Sequence, residues 1–184
     1  MNTIFPNIKS LKLLMKDTDI YETAKYLEEH CDWELGQLEI HHINPDFISL
    51  GINRICVTFA HSLVSLKLTI LDRISWHSIA VIGKYCTELK IFHLEIWDRL
   101  MTSNDETWGN VDLGGSYPKL EDLKLKFEDY SDPMAEFVPS YFLRNNCSTL
   151  KIVQLIAHLS WLDDVKFQNL WSDNNKKRYN FDLF

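Results

Sequence analysis

Leu63-Val64-Ser65-Leu66-Lys67-Leu68 places leucines at its first, fourth and sixth positions, and the last two alternate with polar neighbours. Alternation at period two is the pattern of a strand with one buried face. The phrase has five more copies: Ile8-Lys9-Ser10-Leu11-Lys12-Leu13, Leu35-Gly36-Gln37-Leu38-Glu39-Ile40, Leu89-Lys90-Ile91-Phe92-His93-Leu94, Leu120-Glu121-Asp122-Leu123-Lys124-Leu125 and Leu150-Lys151-Ile152-Val153-Gln154-Leu155. Their starts are 27, 28, 26, 31 and 30 residues apart. A period of this size predicts a solenoid, in which each unit buries its apolar face only against its neighbours. The expectation is an α/β fold of about six repeats, starting near 8, 35, 63, 89, 120 and 150. They form a single domain over 1–184, with parallel strands on the concave face and helices on the convex face.

The segments between phrases carry helical spacing. Ile20, Ala24, Leu27 and Cys31 form one stripe. Before it, Asp19 and Glu22 have capping-box spacing. Ser75 is a candidate cap for a stripe of Trp76, Ile79, Ile82 and Cys86. Asn44-Pro45 and Asp132-Pro133 each set a cap residue before a proline suited to the first helical turn. Pro139 should end or kink the fifth helix, leaving Tyr141-Phe142-Leu143 as a separate turn. The polar segment 101–116, with Gly109, Gly114 and Gly115, is expected to be a loop insertion replacing the fourth helix.

Composition excludes several classes. A net charge of −7 argues against general nucleic-acid affinity, which needs clustered Lys and Arg. Lys176-Lys177-Arg178 is expected to be a solvated tail. No stretch approaches the roughly 20 apolar residues of a membrane span, and Met1 to Pro6 lacks a basic-then-apolar leader. Cys86 and Cys147 stand three residues before a phrase and Cys31 four, where other repeats have Phe5, Ala60 and Tyr117. Such a slot is apolar, and Cys56 falls in the pattern Ile48, Ile52, Ile55, Phe59. Reduced, buried thiols are expected, hence an intracellular protein, cytoplasmic or nuclear.

Cys86-Thr87-Glu88-Leu89 and Cys147-Ser148-Thr149-Leu150, each opening a phrase, resemble the start of the cysteine-containing leucine-rich repeat known mainly from F-box proteins. The resemblance covers residues 5 to 170 or so. It departs from the family at the ninth position of the unit, which holds Lys16, Ile43, Leu71, Trp97, Glu128 and His158 in place of Asn, Cys or Thr. With no F-box before the first strand, the chain reads as the C-terminal portion of a larger protein or a truncated relative. The resemblance implies a non-enzymatic protein–protein interaction module, the substrate-recognition part of an F-box type ubiquitin ligase subunit. A Skp1-type adaptor would then be a partner wherever an upstream F-box exists. A structural or scaffolding repeat protein unrelated to ubiquitin is the alternative.

No catalytic motif is present: G-x-S-x-G, the P-loop and H-E-x-x-H are all missing. His30, Cys31, His41 and His42 lack the paired spacing of a zinc site, so no metal or cofactor is expected. Trp76 belongs to a core stripe, whereas Trp97 and Trp108 lie among polar neighbours as interface anchors do. Strand alternation assigns Ser10, Gln37, Ser65, Ile91, Asp122 and Ile152 to the open face. Lys12, Glu39, Lys67, His93, Lys124 and Gln154 follow, then Leu14, His41, Thr69, Glu95, Lys126 and Ile156. Another protein is expected on this concave wall, touching Lys12, Glu39, His41, Lys67, Thr69, His93, Glu95, Trp97, Lys124, Lys126 and Gln154. Neither nucleic acid nor membrane is expected as a partner.

Overall fold

The computed structural model describes residues 8–15, 19–31, 34–42, 48–71, 76–97, 117–127, 142, 149–156 and 180–181. Each copy of the phrase becomes a strand: β1 (Ser10–Met15), β2 (Gln37–His42), β3 (Ser65–Ile70), β4 (Ile91–Ile96), β5 (Asp122–Phe127) and β6 (Ile152–Ile156). Every neighbouring pair is parallel, and the order in the sheet is the order in the chain. Parallel neighbours need a crossover between them. Among the described residues three of these crossovers carry helices: α1 (Ile20–His30), α2 (Ile48–Thr58) and α3 (Trp76–Tyr85).

The register follows the phrase residue for residue. Ser10 pairs with Gln37, Gln37 with Ser65, Ser65 with Ile91, Ile91 with Asp122, and Asp122 with Ile152. One backbone device enforces it five times. The carbonyl at the second position of a phrase accepts the N–H groups of the second and third positions of the next. Lys9 thus accepts from Gly36 and Gln37, Gly36 from Val64 and Ser65, and Val64 from Lys90 and Ile91. Lys90 accepts from Glu121 and Asp122, and Glu121 from Lys151 and Ile152, all at 2.8–3.1 Å. A bifurcated start of this kind fixes where each strand enters the sheet, and with it which residues face inward.

The inward residues form one core with the helices. Leu38, Ile40, Leu66, Leu68, Phe92, Leu94, Leu123, Leu125 and Val153 are buried with Ile20, Ala24 and Leu27 of α1, Ile52 and Ile55 of α2, and Ile79 and Ile82 of α3. Helices α1 and α2 pack together, as do α2 and α3. Glycines permit two close approaches. A Cβ on Gly51 would lie 2.6 Å from the Ile20 side chain, and one on Gly83 would lie 2.5 Å from the Tyr117 ring. Tyr117 is fully buried, stacks with Phe92 and packs against Phe142, and its hydroxyl donates to the Ile79 carbonyl at 2.6 Å.

Several local expectations meet their structures here. Asp19 caps α1 by accepting from the Tyr21 N–H at 2.7 Å, and the Thr23 hydroxyl donates back to the Asp19 carbonyl. That Thr23 contact is a back-bond to the carbonyl four residues earlier, and among the described residues Glu22 makes no return bond to the Asp19 N–H. Cys56 and Cys86 are buried free thiols, with the Cys86 thiol donating to the Cys56 carbonyl at 3.6 Å, and Cys31 is half-buried and in no disulfide. The slot ahead of the phrase buries Ala60, Cys86 and Tyr117 alike. Ser65 departs from its expectation: it is buried, because Gln37 and Ile91 flank it in the ladder on both sides. The eighth position also turns inward, burying Met15, Ile70, Ile96 and Phe127.

A seventh strand, β7 (Asn180–Phe181), adds to β6 through Gln154–Asn180 and Leu155–Phe181 pairing. The sheet therefore reaches past the sixth phrase. The 101–116 insertion, Trp108, Cys147, Ser75 and the Asn44-Pro45 and Asp132-Pro133 caps lie outside the described residues.

Candidate interaction surface

With alternate strand residues committed to the core, the others stand on the face away from the helices. The in-register ladder sorts them into rows, about 4.8 Å from rung to rung. One row is Lys12, Glu39, Lys67, His93, Lys124 and Gln154; the next is Leu14, His41, Thr69, Glu95, Lys126 and Ile156. Trp97 follows β4 with 43% of its surface exposed, and its backbone N–H donates to the Ile70 carbonyl at 3.0 Å. All eleven residues singled out from the sequence thus lie on or beside this one face.

Their electrostatics differ along the face. At the β1–β2 end, Glu39 Oε1 accepts from His41 Nε2 and from Lys12 Nζ, each at 2.6 Å. A carboxylate only accepts, so His41 carries its proton on Nε2. The His41 hydrogen bond, and after it the Lys12 one, hold the Glu39 carboxyl down to about 2. At β4–β5, Lys126 Nζ pairs with Glu95 Oε1 at 2.5 Å and lies 4.5 Å over the Trp97 ring, a cation–π contact.

His93 occupies the middle. Its Nε2 is 3.4 Å from Asp122 Oδ2, close enough to attract but not aligned as a hydrogen bond, so this buried nitrogen has no hydrogen-bond partner among the described residues. Burial lowers the His93 pKa below its usual value, and Lys67 and Lys124 push the same way against the pull of Asp122. Asp122 belongs to the adjacent row of the neighbouring strand. Its place beside His93 is a diagonal cross-strand relation, visible only once the register is known.

The remaining chemical candidates are dispersed. His30 Nδ1 is 3.0 Å from the Tyr26 carbonyl, with the two rings stacked, whereas His41 is engaged by Glu39. Among the described residues no three His, Cys, Asp or Glu side chains are grouped to hold a metal ion. The Cys56 thiol is pushed well above its ordinary pKa, first by Cys86 and then by burial, which disfavours a reactive thiolate. No helix among the described residues is long and apolar enough to cross a membrane. Comparison with protein-family models, with curated proteins and with solved structures finds no match to this chain.

Proposed function

We propose that this chain is a leucine-rich repeat solenoid that binds another protein through the open, concave face of its sheet. The observation that supports this reading most is the residue-for-residue agreement between phrase and ladder over five strand pairs. It turns each polar position of the repeat into a row of side chains, one per repeat, which is how repeat arrays build extended binding surfaces. Trp97, exposed at the edge and backed by Lys126, has the character of an interface anchor. Buried Cys86, with the Leu89 N–H turning back to its carbonyl at 3.1 Å, suits the cysteine-containing form of the repeat. On that basis the module is the substrate-recognition part of an F-box type ubiquitin ligase subunit, working in a reducing interior where Cys56 and Cys86 stay as thiols. Other chains then supply the chemistry.

The test is comparative affinity purification with quantitative mass spectrometry. Trp97→Ala and Glu95→Ala should weaken recovery of the same partner, each by at least ~1 kcal/mol in a follow-up titration. Glu28→Ala and Lys84→Ala, on exposed positions of α1 and α3, should leave it unchanged. A partner lost with the helix variants and kept with the strand variants would overturn the assignment of the face. Recovery of a Skp1-type adaptor with the natural full-length product would support the ligase reading, and its absence would favour a scaffold.

A further inference from the structure

Four lysines stand in the two central rows of the open face, and they divide into two kinds. Lys12 is paired with Glu39, and Lys126 with Glu95. Lys67 and Lys124 have no ion pair or hydrogen bond with any described residue. These two flank β4 on either side at the register position of His93. Two rungs of a sheet separate their Cα atoms by about 10 Å, within reach of two flexible lysine chains meeting over one imidazole. The ring between them is neutral and contributes no charge near pH 7, since burial and the lysines keep it unprotonated. The other groups facing it are Thr69 on β3, Glu95 on β4, and Asp122 and Lys126 on β5. Glu95 and Lys126 cancel each other, and Asp122 offsets only one of the two free ammonium groups. A net positive charge remains at the centre of a chain that carries −7 overall.

We propose that the space over the His93 ring, between Lys67 and Lys124, is a carboxylate subsite that seats an acidic segment of a partner protein. The proposal rests on the reading of this face as a protein-binding surface. Carboxylate is favoured over phosphate by the donor set. Phosphate sites draw on guanidinium forks and free backbone N–H groups. The site residues here are lysines, and the backbone N–H groups of β3, β4 and β5 are spent in the ladder. His93 does not touch the ligand, because its Nε2 is covered; it senses it. A carboxylate set beside the two ammonium groups offsets the field that depresses His93, so the ring titrates at higher pH in the complex.

The experiment uses the full chain, a fluorescent peptide alternating Glu and Thr, and the same peptide with Gln for Glu. Anisotropy at low salt should show binding of the Glu peptide only, weakening as salt is added. The double variant Lys67→Gln/Lys124→Gln should weaken it by about tenfold or more. Lys84→Gln, at an exposed position of α3, should bind as well as the natural chain, and His93→Gln serves to assign the ring. NMR of the His93 ring, assigned with that variant, should show its titration midpoint rising on saturation with the Glu peptide. Equal binding of the Gln peptide, undiminished binding by the double lysine variant, an unmoved His93 midpoint or no binding at all would each overturn the subsite. Displacement of the peptide by inorganic phosphate at lower concentration than acetate would overturn the choice of carboxylate. A natural partner lost with Trp97→Ala yet indifferent to the double lysine variant would remove the subsite and keep the binding face.

Discussion

Leu94 and His93 are neighbours in β4, yet they live on opposite sides of the sheet. Leu94 is 1% exposed in a core to which eight of the nine other described elements, from β1 to β6, contribute apolar residues. His93 stands among polar side chains, flanked by two lysines. The inner side is close-packed to the point that two glycines are required, and it tolerates little change. The outer side is a set of pairwise charge relations, some closed and some open. The difference teaches that a packed core and an open polar surface are written on alternate residues of the same strands.

The comparison breaks most easily at Leu94. Removing a large buried apolar side chain costs ~2–5 kcal/mol, and an unpaired buried carboxylate costs more. Leu94→Asp should therefore unfold the β3–β5 region in thermal denaturation, while His93→Gln at pH 8 should shift stability by less than ~0.5 kcal/mol. Similar losses from both would mean the register is wrong. A smaller effect is expected at Gly83, in α3. Alanine there normally gains ~0.5–1 kcal/mol of helix stability. The new Cβ, however, would lie 2.5 Å from the rigid, buried Tyr117 ring. Overpacking costs ~1–3 kcal/mol, so Gly83→Ala should destabilise. In a Tyr117→Ala background the same change should become neutral or stabilising, and a thermodynamic cycle measures that reversal.

Much of this was legible in the sequence, because a period-two phrase repeated at near-constant spacing states both the strands and their pairing. The offsets of 27, 28, 26, 31 and 30 residues are the register itself. The inward eighth position was there to be seen as further alternation, with Met15, Ile70, Ile96 and Phe127 continuing the count. β7 was not, since two residues, Asn180 and Phe181, make no period. The row of candidate binding residues followed from alternation alone. Which lysines are neutralised did not follow, because Lys12 and Lys67 occupy the same repeat position. Glu39 lies between Lys12 and Lys67 in the ladder, and only the side-chain geometry shows that its carboxylate is taken by Lys12 and His41.

His93 also sharpens the comparison through pH. Its folded-state pKa is lowered, chiefly by burial, so the unfolded chain takes up a proton first as pH falls below the ordinary value of 6.5. Stability is therefore highest above pH 6.5 and declines as pH falls through 6.5 toward the lower folded value. His93→Gln should flatten that part of the profile in urea titrations between pH 7 and 5. An unchanged slope would mean that the ring is solvated in the folded protein.

The smallest effect belongs to the closed end of the face, at Glu39. Its carboxyl is held at about 2 by His41 and Lys12 against an ordinary 4.5. The sign is opposite in origin to that of His93 but similar in outcome. The charged carboxylate stabilises the fold at every pH above 4.5, and that contribution is lost as pH falls from 4.5 through about 2. Because about a third of the side chain meets water, the pair is screened and is worth less than ~1 kcal/mol. Glu39→Gln should thus be slightly less stable than the natural chain at pH 6 to 7, and the gap should close as pH approaches 2. The same substitution frees Lys12 and His41, giving the β1–β2 end the open, cationic character that Lys67 and Lys124 have at the centre. If the acidic peptide then gains affinity for Glu39→Gln, an unpaired lysine is what the face offers to a carboxylate. If its affinity is unchanged, the subsite depends on the particular placement of Lys67 and Lys124 about His93.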